Sequence, residues 1–415
     1  GRNDWASQIA GSPSKSFFYP SVGLSWVPSS TWDLGNAFSY LKLRGSIASV
    51  GLPFPRFLTT PTYEYDATGK IWKDKTHYPI GDLKPERTIT YEVGIDARLW
   101  KNISLSASWY SADTKNQTFD PALPPSSSYT TIYLQTGHVR NTGVELSLGY
   151  SNQWRDFGWS SNFTFSWNKN EIIDLASGAL NPVTGQPLNL SELDIKGLGK
   201  AKYILKQGGT LGDLYTTSDL KFNDNGYVEV DKAGNLLLTD EGEQIYLGSV
   251  FPSENLAWRN DFRYKGVNLG LLFTGRIGGI CYSATQANMD LYGVSEVSAA
   301  ARDAGGVLIN GREMVDAQKW YQAIGSQSGL PQYYTYSATN FRLQELSLGY
   351  TLPRKWFRNK MGLTVSFVGR NLWMIYCKAP FDPEAVASTG LSYQGIDYFM
   401  MPSLRSLGFN VKFEF

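Results

Sequence analysis

Apolar and polar residues alternate one by one in segment after segment of this chain. Between residues 88 and 99, Ile89, Tyr91, Val93, Ile95, Ala97 and Leu99 are interleaved with Thr90, Glu92, Gly94, Asp96 and Arg98. In the last stretch, 403–415, Leu407, Phe409, Val411, Phe413 and Phe415 alternate with Ser406, Gly408, Asn410, Lys412 and Glu414. A period of two gives a strand one apolar and one polar face. Strands of soluble sandwiches share that pattern but rarely finish on a bare aromatic. The closing strand of a membrane barrel does, with its apolar face to lipid and its terminal ring in the interfacial girdle. Phe409, Val411, Phe413 and Phe415 therefore read as a lipid-facing row and barrel-assembly signal.

The same pattern predicts strands over 17–27, 40–50, 103–110, 143–150, 159–168, 256–264, 267–277, 340–350 and 363–370. Each is about ten residues long, the length a tilted membrane strand requires. In FRLQELSLGY the parity slips: Phe341 and Leu343 hold one register while Leu346, Leu348 and Tyr350 hold the other, which predicts a β-bulge. Connections alternate in length. Residues 100–102, 151–157, 265–266 and 353–361 are short; 51–87, 111–142, 171–255, 278–339 and 371–402 are long. Compact soluble domains seldom carry structureless loops beyond about 15 residues, whereas membrane barrels have short periplasmic turns and long extracellular loops. The expected fold is all-β: a transmembrane antiparallel β-barrel with its C-terminus in the periplasm of a Gram-negative cell. Single-chain bacterial barrels use even strand numbers. A count of about eleven, with the first strand starting on the outer side, thus implies the C-terminal half of a plugged barrel of about 22 strands.

Composition is consistent with this expectation. The chain has 415 residues, 25 Tyr, 13 Trp, 41 Gly and only two Cys, which suits aromatic girdles and tight turns rather than a disulfide scaffold. With 38 Lys+Arg against 37 Asp+Glu it has no basic excess for nucleic acid. Mean hydropathy is −0.28, and no run of apolar residues is long enough for a membrane helix.

Several stretches resemble the SusC/RagA-type TonB-dependent outer-membrane transporters. They are Arg2-Asn3-Asp4-Trp5, residues 17–26 (FFYPSVGLSW), residues 83–87 (LKPER) leading to Tyr91-Glu92-Val93-Gly94, and Arg140-Asn141-Thr142-Gly143-Val144-Glu145. Further matches are Phe341-Arg342-Leu343, residues 348–353 (LGYTLP), Gly369-Arg370-Asn371-Leu372-Trp373 and the motif Phe381, Asp382, Pro383, Glu384. They follow the family's order, so the resemblance spans residues 1–415 as the C-terminal part of the barrel. It implies active import driven through TonB, a plug and TonB box in a region before Gly1, and a SusD-like surface lipoprotein as lid. Pairs of transporter and lipoprotein that dimerise are a further implied assembly. The implied cargo is oligosaccharide, with peptides the alternative within the family. Outer-membrane lipids are a further expected partner, and a passive porin-like or adhesin-like barrel, without plug or TonB box and independent of proton-motive force, is the alternative outside the family. No enzyme activity, catalytic residue or metal is implied. Residues 222–240 depart from the carboxylate-rich loop common in the family.

The remaining chemistry is sparse. Asp224-Asn225-Gly226 and Asp231 with Gly234-Asn235 are either two hairpin turns or oxygen ligands for Ca²⁺. His77 and His138 are isolated and lack metal-ligand spacing, and Ser128 near His138 is close only in sequence. A Cys281–Cys377 disulfide requires Cα atoms within about 7 Å, which the sequence leaves open. The outer loops carry the candidate substrate or partner contacts: Tyr63, Tyr65, Trp72 and Tyr78 in the first, Trp320, Tyr321, Tyr333, Tyr334 and Tyr336 in the fourth. Aromatic faces stack on sugar rings, anchor protein interfaces or form interfacial belts. Residues 295–304 read as a short helix with Ser295 as N-cap and Gly305 at its end. Lys42, Arg44, Glu92, Asp96, Arg98, Glu145 and Arg276 fall on the polar faces and are expected on the lumen wall.

Overall fold

The structure is a computed structural model and describes residues 2–5, 16–52, 63–74, 77–78, 85–119, 129, 131–176, 186, 190–239, 242, 244–390 and 393–414. Its centre is an eleven-stranded antiparallel sheet. In chain order the strands are β1 (Ser21–Trp26), β2 (Phe38–Leu52), β3 (Glu86–Leu99), β4 (Ile103–Phe119), β5 (Leu134–Trp154) and β6 (Phe157–Asp174). Then follow β7 (Glu254–Tyr264), β8 (Val267–Ile277), β9 (Asn340–Leu352), β10 (Gly362–Cys377) and β11 (Ser406–Glu414). Each pairs only with its sequence neighbours, so the sheet is an up-and-down meander edged by β1 and β11. Unpaired edges are not tolerated in hydrocarbon. The eleven strands are therefore one arc of a larger closed barrel.

The two faces follow the alternation. Tyr91, Val93, Trp109, Leu148, Trp258, Leu348 and Val365 form an exposed apolar band on one side. In-register pairs tie that band together: Val93 faces Trp109, Trp109 faces Val144, and Phe163 faces Trp258. So large an exposed apolar surface marks contact with lipid. In β11, Phe413 is opposite Leu363, Val411 opposite Val365 and Phe409 opposite Phe367, and Phe409 is 81% exposed. Phe415 lies outside the described residues. At the short-turn end, Tyr150, Trp154, Phe157, Trp159 and Phe262 form a chain of rings with centroids 5.0–6.5 Å apart, the expected girdle. No described helix is long and apolar enough to cross a membrane.

The bulge predicted in β9 is present, with a register shift between Leu343 and Glu345 and a matching one between Leu272 and Phe273 in β8. Three expectations need correction. Strand lengths of about ten hold for β7 and β8, with 11 residues each, whereas β4 has 17 and β5 has 21. Pairing continues through polar residues such as Asn141, Thr142 and Lys115, which need no alternation once the strand leaves the apolar slab. The first predicted strand, 17–27, is divided at Pro20, which has no N–H to donate: Ser16–Tyr19 pairs with Arg2–Trp5, and Ser21–Trp26 pairs with β2.

The third correction concerns the long loops. Two of them, with parts of their neighbours, fold into a compact domain above the long-turn end of the sheet. Glu192–Leu198, Ala201–Lys206, Asp213–Thr216 and Ile245–Ser249 make a four-stranded sheet, and Ile280–Ser283 pairs with Thr335–Ser337 and, in parallel, with Ile396–Asp397. Around them stand α1 (Ala284–Leu291), α2 (Glu296–Asp303) and α3 (Ala317–Ile324). Ser283, Ser295 and Asp316 cap them by accepting the amide hydrogens of Gln286, Ser298 and Lys319. The core holds Phe119 and Ile172 from the far ends of β4 and β6, with Tyr203, Leu205, Leu214, Tyr282, Leu330 and Ile396 from three long connections.

Candidate functional site

Two surfaces remain for function: the polar face of the sheet and the outer domain. On the polar face, Arg44 is paired with Glu92 and lies 3.7 Å from Asp96, whose carboxylate also accepts the Ser106 hydroxyl at 2.7 Å. Across the arc, Arg259 bonds Asp261 at 2.9 Å and Glu345 at 3.5 Å, while Arg370 reaches Glu345 at 3.1 Å. Between these charge clusters runs a strip of small hydroxyl residues over a shallow cavity of about 370 Å³ lined by Arg44, Ser106, Glu145, Ser147, Thr164 and Asn255. The predicted wall residues Lys42, Arg44, Glu92 and Asp96 thus share one face and one ion-pair network. Nothing in that network is arranged for bond chemistry.

The link between barrel and outer domain is a buried ion cluster. Arg342, near the outer end of β9, is 5% exposed. Its guanidinium donates to Asn340 Oδ1 at 3.1 and 3.2 Å, to Asp382 Oδ1 at 3.0 Å and Oδ2 at 3.4 Å, and lies 3.0 Å from Glu384 Oε1. Burial alone would raise the Asp382 carboxyl pKa. Hydrogen bonds from Arg342, Ser403 and the Glu384 amide outweigh it and hold the group below the usual carboxylate range. Arg276 adds a longer contact to Glu384 at 3.7 Å. The motif residues Phe381, Asp382, Pro383 and Glu384 therefore anchor the last outer loop to the barrel wall. Phe341-Arg342-Leu343 and the 381–384 motif are separate signals in the sequence; only the fold shows that they meet.

The predicted loop aromatics divide into three groups. Tyr65 and Trp72 sit on the hairpin Tyr63–Asp66/Ile71–Asp74, exposed, with ring centroids 5.1 Å apart. The side chains of Tyr63 and Tyr78 lie outside the described residues. Trp320 and Tyr333 make an edge-to-face pair at 6.1 Å, and Tyr333 is partly open, with burial pushing its phenol up to about 12. Tyr321 and Tyr334 are corrected: at 7% and 2% exposure they belong to the outer-domain core and offer no face to a ligand. They fill space between α1, α3 and the 331–334 turn, a need that one loop's sequence does not reveal. Tyr336 is a stitch as well, donating to Gln286 Oε1 at 2.7 Å with its ring on Phe381 at 5.8 Å. Residues that sequence reasoning missed include Ser283 and Asp397, hydrogen-bonded at 2.7 Å and buried, which join two loops distant in sequence.

The two Asn/Asp-Gly segments are turns of one design. Asn223 accepts the amides of Asn225 and Tyr227, Asp231 accepts those of Ala233 and Asn235, and Gly226 and Gly234 follow with φ of +77° and +78°. The Asp231 carboxyl is held low by the Asn235 hydrogen bonds, so its oxygens serve the turn itself. His138 bonds Asp113 at 2.8 Å, alongside Arg140 at 2.9 Å, and Ser128 lies outside the described residues. Cys281 and Cys377 are both free thiols.

A meander of long strands, apolar on one face and polar on the other, with an aromatic girdle and large loops at one end, defines a membrane-spanning barrel of the outer-membrane class. Residues 1–372 match the family described as TonB dependent receptor-like, beta-barrel, and the chain belongs to that family. The proteins it resembles include members of the SusC/RagA type. TonB-dependent receptor P3 of Formosa agariphila is 25% identical over 448 residues, covering 99% of this chain and 43% of that protein. TonB-dependent receptor SusC of Bacteroides thetaiotaomicron is 20% identical over 346 residues, covering 80% of this chain and 32% of its own. The RagAB peptide importer in its closed-closed state superposes with a TM-score of 0.71 at 20% identity over 99% of this chain and 44% of that one, a likeness of fold. The chain spans less than half the length of these relatives. The reading of the chain as a non-enzyme agrees with them, since they are receptors.

Proposed function

We propose that this chain is the C-terminal wall and outer-loop half of an importer that draws oligosaccharide fragments across the outer membrane. TonB supplies the energy through a region outside this chain, and a SusD-like surface lipoprotein covers the outer mouth. The observation that carries the reading is the pairing of a polar lumen wall with an outer domain locked to it through Arg342 and Asp382. Such a domain offers a firm platform for a lid. Exposed apolar side chains support a protein partner there: Tyr292, Val294 and Val297 around the start of α2, and Leu308 beside Met314 on the hairpin Val307–Ile309/Glu313–Val315. The exposed Tyr65–Trp72 pair suits sugar stacking. In this reading the short turns and the C-terminus face the periplasm, and transporter–lipoprotein pairs associate as dimers. The second reading is peptide import, favoured by the fold likeness to a peptide importer.

Uptake of labelled oligosaccharides and of labelled peptides by cells carrying the full-length transporter, with and without TonB, tests the proposal. TonB-dependent oligosaccharide uptake is the expected result. Peptide uptake alone would shift the assignment to the second reading. Uptake that persists without TonB or under a protonophore would mean a passive porin-like barrel and overturn both.

A further inference from the structure

The short-turn rim of the barrel is far more basic than the chain as a whole. Five short connections join the strands at this end: residues 27–37, 100–102, 155–156, 265–266 and 353–361. They contain Lys101, Arg155, Lys265, Arg354, Lys355, Arg358 and Lys360, against Asp33 and Asp156 alone, in a chain with a formal net charge of +1. All seven cations are exposed. Lys265 lies 3.9 Å from Asp156, and Arg354 3.1 Å from Glu414. Lys101, Arg155, Lys355, Arg358 and Lys360 have no acidic side chain within ion-pair distance among the described residues. At the opposite ends of the same strands, charges are matched: Arg140 with Asp113, Lys169 with Glu171, Arg342 with Asp382.

Each basic turn also carries an exposed ring. Trp100 precedes Lys101, Trp154 precedes Arg155, Tyr264 precedes Lys265 and lies 5.4 Å from its ammonium, and Trp356 sits among Arg354, Lys355 and Arg358. Trp100 and Trp356 are 62% and 64% exposed. Trp100, Lys101, Arg155, Lys265 and Arg358 all have positive φ, so tight turns hold these side chains outward at fixed positions. Successive turns are neighbours around the rim because the sheet is a simple meander. The first turn has rings, Trp26 and Trp32, but no cation, so the basic arc runs from β3 to β10.

An aromatic at the edge of a lipid-facing band, with a cation one residue beyond it, matches the boundary between acyl chain and headgroup. We propose that this arc binds the headgroups of anionic phospholipids, with the rings seated at the level of the ester groups and the Lys and Arg side chains on the phosphates. The proposal rests on the orientation given above, in which this rim meets the inner, phospholipid leaflet. Soluble phosphate would have no use for the four rings, and continuity with the apolar band selects lipid.

The test uses the full-length transporter in vesicles of zwitterionic lipid doped with brominated phosphatidylglycerol or brominated phosphatidylcholine. Bromine quenches Trp100, Trp154 and Trp356 on contact, so the two quenching curves give a relative association constant. A preference for phosphatidylglycerol is expected, about fivefold for each basic side chain that engages a headgroup, and lowered by salt. The combined variant K101Q/R155Q/K355Q/R358Q/K360Q is expected to lose most of it, while K101R/K355R/K360R retains it. Equal quenching by both lipids in the wild-type protein, or a preference undiminished in the Gln variant, would overturn the proposal. Orientation is read separately. An Asn359→Cys variant lacking Cys281 and Cys377 is treated with an impermeant maleimide. Labelling only after cell lysis supports the orientation, and labelling of intact cells would overturn it whatever the lipid result.

Discussion

Removing the Arg342 guanidinium should free the last outer loop while leaving the barrel intact. In Arg342→Ala, Asp382 loses a two-pronged ion pair, Glu384 loses its 3.0 Å contact, and Asn340 loses both guanidinium donors. Breaking a buried pair from one side typically costs about 3–5 kcal/mol. Asp382 keeps its bonds from Ser403 and the Glu384 amide, and the Glu384 side chain is 30% exposed and open to water, so the low end applies, about 3 kcal/mol. At about 1.4 kcal/mol per factor of ten, the opening equilibrium of residues 378–402 should rise about a hundredfold. Hydrogen exchange followed by mass spectrometry on the purified full-length protein reads this directly. Exchange should accelerate in 378–402 and stay unchanged in β3–β5, and Arg342→Lys should show a smaller effect because it keeps charge but not the fork. The sign with pH follows from the lowered Asp382 pKa. A carboxyl depressed in the folded state gives stability that is complete above its unfolded value, near 3.9, and lost as pH falls through the folded value. Loop protection should therefore be level from pH 7 to 5 and fall only in stronger acid. Unchanged exchange in Arg342→Ala, or protection already failing at pH 6, would refute this account.

Three further outcomes are expected. Ser283→Ala removes the cap of α1 and leaves the buried Asp397 carboxylate without its hydroxyl donor, a loss of about 1–3 kcal/mol that limited proteolysis of the outer domain should detect. Val411→Lys puts a charge on the lipid face of β11 at a penalty of about 2–4 kcal/mol near mid-membrane, and should impair assembly as judged by heat-modifiable gel mobility. Cys281 is buried, and that burial pushes its thiol up to about 12, so it should resist maleimide at pH 8 until the protein is denatured.

The barrel was legible because membrane strands obey one local rule that any ten-residue window displays. Even the β9 bulge announced itself, since a parity change between Leu343 and Leu346 is visible without a partner strand. The outer domain was not legible for the opposite reason. Its core residues, such as Phe119, Ile172, Leu214 and Ile396, come from the far ends of β4 and β6 and from connections distant in sequence, so no single segment displays that core. Tyr334 looks like any loop tyrosine until Leu330, α1 and α3 surround it. The N-cap of α2 at Ser295 was readable, because capping is local; the Ser283–Asp397 bond was not, because its partners are 114 positions apart.

Such long separations set an order of events during assembly. The hydroxyl of Tyr203 donates to the carbonyl of Gln394, a closure across 191 residues, and Ile396 enters the sheet beside Tyr282 from the far end of the chain. Closure over so large a span is slow and entropically costly until the strands between are held in place. The outer domain thus cannot complete its core until β10 is positioned at its full length. In the orientation proposed above, its loops reach the cell exterior unfolded and condense there last. A folded outer domain is therefore a report that the strands beneath it have been laid down in register.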